Sequence, residues 1–276
     1  MISFGYFLLM LGFALQLPSA EWKLVWSDEF DKPGLPDPSK WTYEEGFVRN
    51  NELQFYTRAR RENARVENGV LTIETRKEPW RNPQYDPQRQ QRSWRTSRET
   101  ADYTSASLIT RGIAEWKYGR VEARAKLPRG KGFWPAIWML GSNQDKVGWP
   151  ACGEIDIMEN VGFDPDTIVG TIHTAKYNHV KKTQKGDRTV IPRPYEDFHV
   201  YAMEWDENRL DIFVDGRRYF SFANEKNGTD AWPFDQPMYL ILNVAFGGSW
   251  GGQQGIDDST LPQSMAVDYV RIYSHR

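Results

Sequence analysis

Residues 153–159 read Gly-Glu-Ile-Asp-Ile-Met-Glu, and this short stretch decides how the rest of the chain is interpreted. Two isoleucines alternate with Glu154 and Asp156, which is the period of a β-strand with one acidic and one apolar face. Strict alternation would turn Glu159 toward the apolar face. A β-bulge near Met158 would add one residue and return Glu159 to the acidic face. Without the bulge, only two acids share that face.

The same two-residue period recurs along the chain, whereas no segment shows a long helical period. It is clear in residues 71–75 and 121–127. Residues 210–222 predict a hairpin, because Asp215-Gly216 tolerates the positive φ angles of a type I′ turn. Further strand-like runs are residues 199–206, 238–246 and 265–273. The pattern predicts one all-β domain, an antiparallel β-sandwich whose curved sheets offer a long groove.

Composition excludes several classes of protein. The chain has 276 residues, with 35 Lys+Arg against 37 Asp+Glu and a net charge of −2, which excludes a generally basic nucleic-acid binder. The 39% hydrophobic content is typical of a globular protein. The 12 tryptophans suit a surface that stacks on flat ligands as well as a core. The single cysteine, Cys152, excludes an intrachain disulfide and is interpreted as a small residue packed beside the acidic strand.

The first 20 residues are predicted to be a secretory signal peptide. Residues 4–17 are nearly all apolar but fall short of the about 20 residues that span a bilayer. Ser19 and Ala20 suit a signal-peptidase site, although residues 1–20 contain no Lys or Arg. An apolar first strand is the alternative. We therefore expect a secreted or periplasmic protein with one domain over residues 21–276 and no membrane anchor.

Residues 76–100 differ from their surroundings, because they are rich in Lys, Arg, Gln and Pro. They predict a long exposed loop. Such a loop is either a solvated insertion or one wall of a ligand groove, and Trp80, Tyr85 and Trp94 favour the wall.

Three carboxylates on one strand face repel each other and are therefore more often functional than incidental. They fit a metal site, a structural acid cluster or the acid/base pair of a glycosidase. A single strand suits a metal poorly, because hard cations take oxygens from several directions. A retaining glycosidase needs two carboxyls about 5–5.5 Å apart, one ionised and one with a raised pKa. A straight strand would put the outer α-carbons roughly 13 Å apart, so curvature and converging side chains must close the gap.

The stretch Gly153–Glu159 closely resembles the E-x-D-x-x-E motif of glycoside hydrolase family 16, on its laminarinase and lichenase branch. Supporting segments are residues 26–30, 50–57, 118–124, 132–140 and 243–252. The resemblance covers nearly all of residues 21–276 and implies a β-jelly-roll sandwich of two curved antiparallel sheets that hydrolyses β-glucans with retention. It also implies that Glu154 is the nucleophile, Asp156 its partner and Glu159 the general acid/base.

Tryptophans near the acidic strand are candidate sugar platforms, because indole rings stack on the apolar faces of sugars. Trp134 and Trp138 are four residues apart and share a face if they lie on a strand, although core packing is the alternative. Trp149 precedes the acidic strand and is a third candidate.

The family resemblance adds polar binding residues and a metal. It places His173 near Asp156 or the substrate, although a lone histidine is more often structural. The remaining histidines, His179, His199 and His275, are interpreted as structural. It also implies that Asn51 and Glu52 bind the donor sugar and that Asn243 and Trp250 line the groove; exposed strand polarity is the alternative for the first two. A structural calcium is expected at Glu29, the Gly69 carbonyl and Asp268, with ordinary surface acids as the alternative.

The leading hypothesis is an exported endo-β-glucanase that cleaves β-1,3 bonds, or β-1,4 bonds next to β-1,3 units. We expect a monomer that needs no cofactor for catalysis and has a polysaccharide as its partner, with no nucleic acid. A second hypothesis is a non-catalytic β-glucan-binding lectin, which needs the tryptophans but not the paired acids. A third is a sibling enzyme acting on agar, porphyran or carrageenan, because such polymers are often sulfated and suit arginine-rich grooves.

Overall fold

The computed structural model describes residues 22–89 and 93–275, and almost all regular structure in these ranges is β-strand. The strands are β1 (Trp22–Asp28), β2 (Thr42–Glu44), β3 (Gln54–Tyr56), β4 (Ala64–Glu67), β5 (Val70–Arg81), β6 (Thr100–Ser105), β7 (Ser107–Ile109), β8 (Gly119–Lys126), β9 (Phe133–Gly141), β10 (Glu154–Val161), β11 (Asp164–His173), β12 (Lys185–Val190), β13 (His199–Trp205), β14 (Arg209–Val214), β15 (Arg217–Ala223), β16 (Met238–Phe246) and β17 (Gln263–His275). The helical elements are α1 (Trp94–Ser97), α2 (Gln144–Val147) and the 3-10 turns Pro87–Arg89, His179–Lys181 and Asp258–Thr260. The predicted signal peptide, residues 1–20, lies outside the described residues.

The strands form two sheets. The larger has the order β15-β14-β13-β8-β17-β5-β6-β3, with β1 beside β17 and β4 beside β5. The smaller has the order β12-β11-β10-β9-β16-β7-β2. Every pairing between named strands in the described ranges is antiparallel except that of β3 with β6. The predicted antiparallel sandwich is therefore confirmed, with one parallel pair added.

The core lies between the two sheets. Strand β10 sends Ile155 and Ile157 inward, and both are fully buried. Strand β8 supplies Val121, Ala123 and Ala125 from the other sheet, while its intervening charged residues stay half-exposed. One face of each strand thus builds the core, as the alternating sequence predicts.

The predicted β-bulge is present in β10. Against β9, Asp156 pairs with Trp138 and Met158 with Ile137, so one residue of β10 has no counterpart. The register against β11 also shifts between Asp156 and Glu159. Because one residue is inserted, Glu159 returns to the face that carries Glu154 and Asp156.

The hairpin of residues 210–222 is confirmed as β14 and β15. Its two turn residues, Asp215 and Gly216, have φ angles of 49° and 76°. Two successive positive φ angles are the mark of a type I′ turn, whose twist matches that of paired strands.

The expectation of a loop over residues 76–100 is wrong at both ends. Strand β5 continues through Arg81, and Trp80 pairs with Ala101 of the neighbouring strand. Trp80 and Trp94 pack on a small cluster containing Phe47 and Phe55 instead of standing free in a groove wall. The rings are held there because burying their apolar surface against that cluster is favourable. Residues 90–92 lie outside the described part of the chain.

Within the described ranges, no helix is long and apolar enough to cross a membrane.

Candidate active site

The outer face of the smaller sheet, turned away from the core, carries one large groove with a volume of about 900 Å³. The apolar floor of the groove is formed by Ala136, Trp138 and Leu140 of β9, and Trp149 packs against them. Most residues predicted for the site line this groove: Glu52, Trp134, Trp138, Trp149, Glu154, Asp156, Glu159, His173, Asn243 and Trp250. Strands β9, β10, β11 and β16, with the loops next to them, have therefore brought ten side chains from distant parts of the sequence together.

Each outer carboxylate of the acidic strand accepts a hydrogen bond from a tryptophan. The indole Nε1 of Trp149 donates to Glu154 Oε2 over 2.9 Å. The indole Nε1 of Trp134 donates to Glu159 Oε1, also over 2.9 Å. Both tryptophans thus orient a carboxylate in addition to offering a ring face to the groove.

The middle acid, Asp156, has the most confined surroundings of the three. It is 3% exposed, and its Oδ2 has no hydrogen-bond partner among the described residues. Burial and the charges of Glu159 and Glu154 raise the pKa of Asp156 well above its usual value. Asp156 is therefore the acid best placed to keep a proton at neutral pH.

Burial and mutual repulsion also raise the pKa values of the outer acids. For Glu154 the causes are burial and then the charge of Glu159, opposed by the Trp149 hydrogen bond. For Glu159 the cause is burial, opposed by the Trp134 hydrogen bond. Three such groups titrate as one coupled cluster, in which a proton on Asp156 lets Glu154 ionise.

His173 lies beside two of the acids. Its Nε2 is 3.5 Å from Asp156 Oδ2 and 3.6 Å from Glu154 Oε1. Burial, together with His179, lowers the pKa of His173 to about 3, so the imidazole is neutral. A neutral ring in this position can hydrogen-bond to an acid without adding charge to the cluster.

Glu154, Asp156 and His173 also offer ligand atoms within 4.8 Å of one another and could hold a metal ion. However, all three residues come from the adjacent strands β10 and β11, whereas hard cations take oxygens from several directions. The surroundings favour an acid cluster that shares protons over a metal centre.

The other side of the groove is built around a buried carboxyl. Glu52 is 2% exposed and accepts hydrogen bonds from Gln54 (2.7 Å) and Asn50 (3.3 Å). Burial raises the pKa of Glu52 to about 7. Nearby, Asn243 accepts a bond from Trp138 Nε1 (2.7 Å) and donates one to the Tyr56 hydroxyl (3.0 Å). These polar atoms can bind sugar hydroxyls at fixed positions.

Asn51 is an exception among the predicted binding residues. It is exposed and does not line the groove, whereas its neighbour Asn50 does and also bonds to Glu52. Both asparagines have left-handed φ angles, 56° and 52°, so the tight turn directs successive side chains differently from a strand. Asn50 thus takes the groove position, and the binding of the donor sugar by Asn51 stays a prediction.

The loop after β16 brings Trp250 to the groove. Trp250 contacts the Trp134 ring edge-on, with centroids 5.4 Å apart. Gly247 starts this loop with a φ angle of 71°, and a Cβ there would come within 2.6 Å of Leu53. Only glycine therefore allows the loop to close against the segment that carries Glu52.

Sequence reasoning missed two groove residues, Arg49 and His179. Arg49 forms an ion pair with Glu44, and its guanidinium lies 4.8 Å from the centre of the Trp138 ring. Arg49 directly precedes the Asn-Asn-Glu motif at residues 50–52, which is the one signal that could have found it. His179 was interpreted as structural, but it lines the groove and stacks on Trp149.

The other two histidines lie outside the groove. His199 bonds to Asp215 at 2.7 Å, and His275 packs on Trp22 with ring centroids 4.1 Å apart. Cys152 is fully buried, and burial raises the pKa of its thiol to about 11, so it is not a nucleophile at neutral pH.

The residues expected to bind calcium already have partners. Arg271 binds both oxygens of Glu29, at 2.8 and 3.0 Å. Arg124 Nη1 lies 2.6 Å from Asp268 Oδ2. As these side chains stand, they do not form a ready cation site, and an ion would first have to displace Arg271. Calcium at Glu29, Gly69 and Asp268 therefore stays a prediction.

A long groove on a β-sandwich, floored by tryptophans and carrying paired carboxylates on one strand, defines a glycosidase of the jelly-roll class. Comparison with known proteins gives the same class. The family model for glycosyl hydrolases family 16 matches residues 51–271. The chain belongs to this family.

Similar proteins of the family have been described. A protein named beta-glucanase from Rhodothermus marinus is 51% identical over 274 residues, covering 96% of this chain and 89% of the relative. The solved laminarinase structure from Rhodothermus marinus superposes with a TM-score of 0.84 at 50% identity, covering 93% of this chain and 99% of that one. The structure of SCLam, described as a non-specific endo-beta-1,3(4)-glucanase, gives a TM-score of 0.83 at 52% identity and covers 95% and 94%.

Proposed function

We propose that this chain is a retaining endo-β-glucanase acting on β-1,3-glucan, mixed-linkage β-1,3-1,4-glucan or both. The observation that carries the proposal is the pair Glu154 and Glu159 on one bulged strand, each oriented by its own indole N–H. An open groove on both sides of the pair suits cleavage within a chain. The names of the similar proteins from Rhodothermus marinus support the substrate class.

The reaction would proceed by double displacement. In the first step, the Glu154 carboxylate attacks the anomeric carbon while Glu159 gives its proton to the departing glycosidic oxygen. In the second step, Glu159 takes a proton from water, the water oxygen bonds to the anomeric carbon, and the bond to Glu154 breaks. The two Glu side chains return to their starting states, so no cofactor is consumed.

The neighbours of the acids support this division of roles. The nucleophile must be ionised, and a proton held by Asp156 together with the Trp149 N–H favours the charged form of Glu154. The acid/base must begin protonated, and burial raises the pKa of Glu159 to about 7. Burial raises the pKa of Glu154 as well, to about 8, so the roles are distinguished by the proton that Asp156 can hold beside Glu154 and not by the pKa values of the two glutamates. Neutral His173 lies 3.5 Å from Asp156, close enough to donate to that acid or to the substrate without adding charge.

The lectin hypothesis is weaker, because a binding protein gains nothing from three acids that repel one another, one of them buried and two half-buried. The hypothesis of a sulfated substrate is also weakened. Arg76 forms an ion pair with Glu74, and Arg98 donates to the Glu52 carbonyl over 3.1 Å, so neither is directed to a sulfate. Of the described residues in 76–100, only Arg95 lines the groove.

Release of reducing sugar from laminarin, barley β-glucan and lichenan tests the proposal, with agarose and carrageenan in parallel. We expect wild-type cleavage of at least one glucan, loss of cleavage in Glu154→Gln, and full activity in the control Glu207→Gln on an exposed turn. Proton NMR of the first product should show retention at the anomeric centre. Binding to glucan without cleavage would support the lectin, and cleavage of agarose or carrageenan alone would support the sibling enzyme.

We propose further that the protein is exported to the periplasm or the exterior, that it acts as a monomer, and that calcium is structural if bound. The predicted signal peptide and the polysaccharide substrate support export. N-terminal sequencing of the exported protein, which should start near Glu21, tests the first point, and light scattering during gel filtration tests the second.

A further inference from the structure

The groove continues beyond Glu154 toward a turn that follows β11. Glu52, which is expected to bind the donor sugar, bridges to Gly247 just after β16, so it lies on the side of β10 that carries β9 and β16. His173 ends β11, on the opposite side of β10, and residues 174–183 follow it. A sugar chain that crosses the strands would therefore place its leaving-group side over this turn.

The turn presents His179 to the groove. The imidazole packs at a tilt on Trp149, with ring centroids 4.9 Å apart and an interplanar angle of 33°, and meets His173 edge-on at 5.1 Å. The His179 side chain is exposed at the groove. Its ring nitrogens make no hydrogen bond to the described part of the chain, so they are available to a ligand. Partial burial of the ring beside Trp149 and His173 lowers the pKa of His179, so the ring is neutral and offers one donor and one acceptor.

The backbone that carries His179 is held by hydrogen bonds of the Asn178 side chain. Asn178 is buried, its side chain accepts from Lys181 N (3.1 Å), and it donates to Thr174 O (3.0 Å). Val180, the residue after His179, is 71% exposed. A second cavity of about 330 Å³ lies along this turn and shares Trp149 with the main groove. A preorganised turn with free polar atoms and an exposed apolar side chain suits a sugar ring.

We propose that His179, Val180 and the Trp149 indole form a binding site for the sugar unit on the leaving-group side of the scissile bond. The neutral imidazole hydrogen-bonds to one sugar hydroxyl, and Val180 contacts an apolar face of the ring. This inference rests on the proposed glycosidase function and assigns the substrate contacts of one side of that site.

The test compares two substrates that share the donor sugars. One is the preferred glucan polymer, and the other is the β-fluoride of the corresponding disaccharide, whose leaving group has no sugar. We expect His179→Ala to lower kcat/KM on the polymer about five- to tenfold, the loss of one hydrogen bond, and to leave the fluoride within about twofold. His179→Gln, which also donates and accepts, should recover part of the loss.

Because the fluoride uses the same nucleophile, its turnover also shows that each variant is folded. His275→Ala, a histidine that packs on Trp22 outside the groove, is the matched control and should match wild type on both substrates. An equal loss on both substrates, or no loss on the polymer, would overturn the proposed site. If the wild type cleaves neither substrate, the glycosidase function itself fails, which is a distinct result.

Discussion

The two tryptophan–carboxylate hydrogen bonds provide a direct test of which acid has which role. Trp149→Phe removes the N–H that binds Glu154, and Trp134→Phe removes the N–H that binds Glu159. Both N–H groups stabilise the charged form of their acid. Each substitution should therefore raise the pKa of its own carboxyl while keeping an aromatic ring in the groove.

The size of the shift follows from the strength of such a bond. A hydrogen bond to a charged group contributes about 1.5–3 kcal/mol, and one pKa unit corresponds to about 1.4 kcal/mol. The full effect would be roughly 1–2 units. Because the groove is open to water, which replaces part of the lost bond, we expect about 1 unit.

The assay is the pH dependence of kcat/KM on the preferred glucan. Ionisation of the nucleophile sets the acidic limb, and loss of the proton from the acid/base sets the alkaline limb. Trp149→Phe should move the acidic limb to higher pH, and Trp134→Phe should move the alkaline limb to higher pH. The limbs report the coupled cluster, so shifts relative to wild type are compared.

Trp232→Phe is the matched control, because Trp232 Nε1 donates to Asp235 over 2.9 Å and neither residue lines the groove. It should move neither limb. If Trp149→Phe moves the alkaline limb and Trp134→Phe the acidic one, the roles of Glu154 and Glu159 are reversed. If no limb moves in either variant, these hydrogen bonds do not set the pKa values and the reasoning is wrong.

Three further predictions concern the groove wall and the fold. Arg98→Ala should raise KM several-fold with little change in kcat, because the Arg98 guanidinium fixes the position of the Glu52 carbonyl. Arg98→Lys should recover part of the lost affinity. An unchanged KM in Arg98→Ala would contradict this role. Gly247→Ala should destabilise by about 2–3 kcal/mol through its φ angle of 71° and the Leu53 contact, and an unchanged Tm would exclude the clash. Added calcium should raise Tm without changing kcat, and Glu29→Ala should abolish the rise. If neither calcium nor EDTA changes Tm, the predicted calcium site does not exist.

The sequence predicts those parts of the site that depend on local periodicity. Alternation places Glu154 and Asp156 on one face of the strand. A third acid, Glu159, can share that face only if one residue is inserted before it, which predicts the bulge. The turn at Asp215-Gly216 is equally local, because its residues tolerate the required φ angles. Such features are set by neighbours within a few residues, so one sequence is enough to find them.

The missed features depend on contacts between distant segments. Arg49 is in the groove because Glu44 and Trp138 hold it there, and His179 because it stacks on Trp149. Trp80 belongs to an extended strand because Ala101 pairs with it. A period of two residues predicts to which face of the strand a side chain points. It does not predict which distant residues that face contacts.

The pairing of β1 with β17 has a consequence for how the molecule is assembled. Trp22 lies opposite His275, and β17 separates β8 from β5 in the larger sheet. The sheet behind the groove thus stays in two pieces until its final strand has left the ribosome. With so many pairings between distant segments, folding should be slow and should follow synthesis. A nascent chain halted before β17 should therefore remain sensitive to protease, even though every residue named in the reaction has already been made.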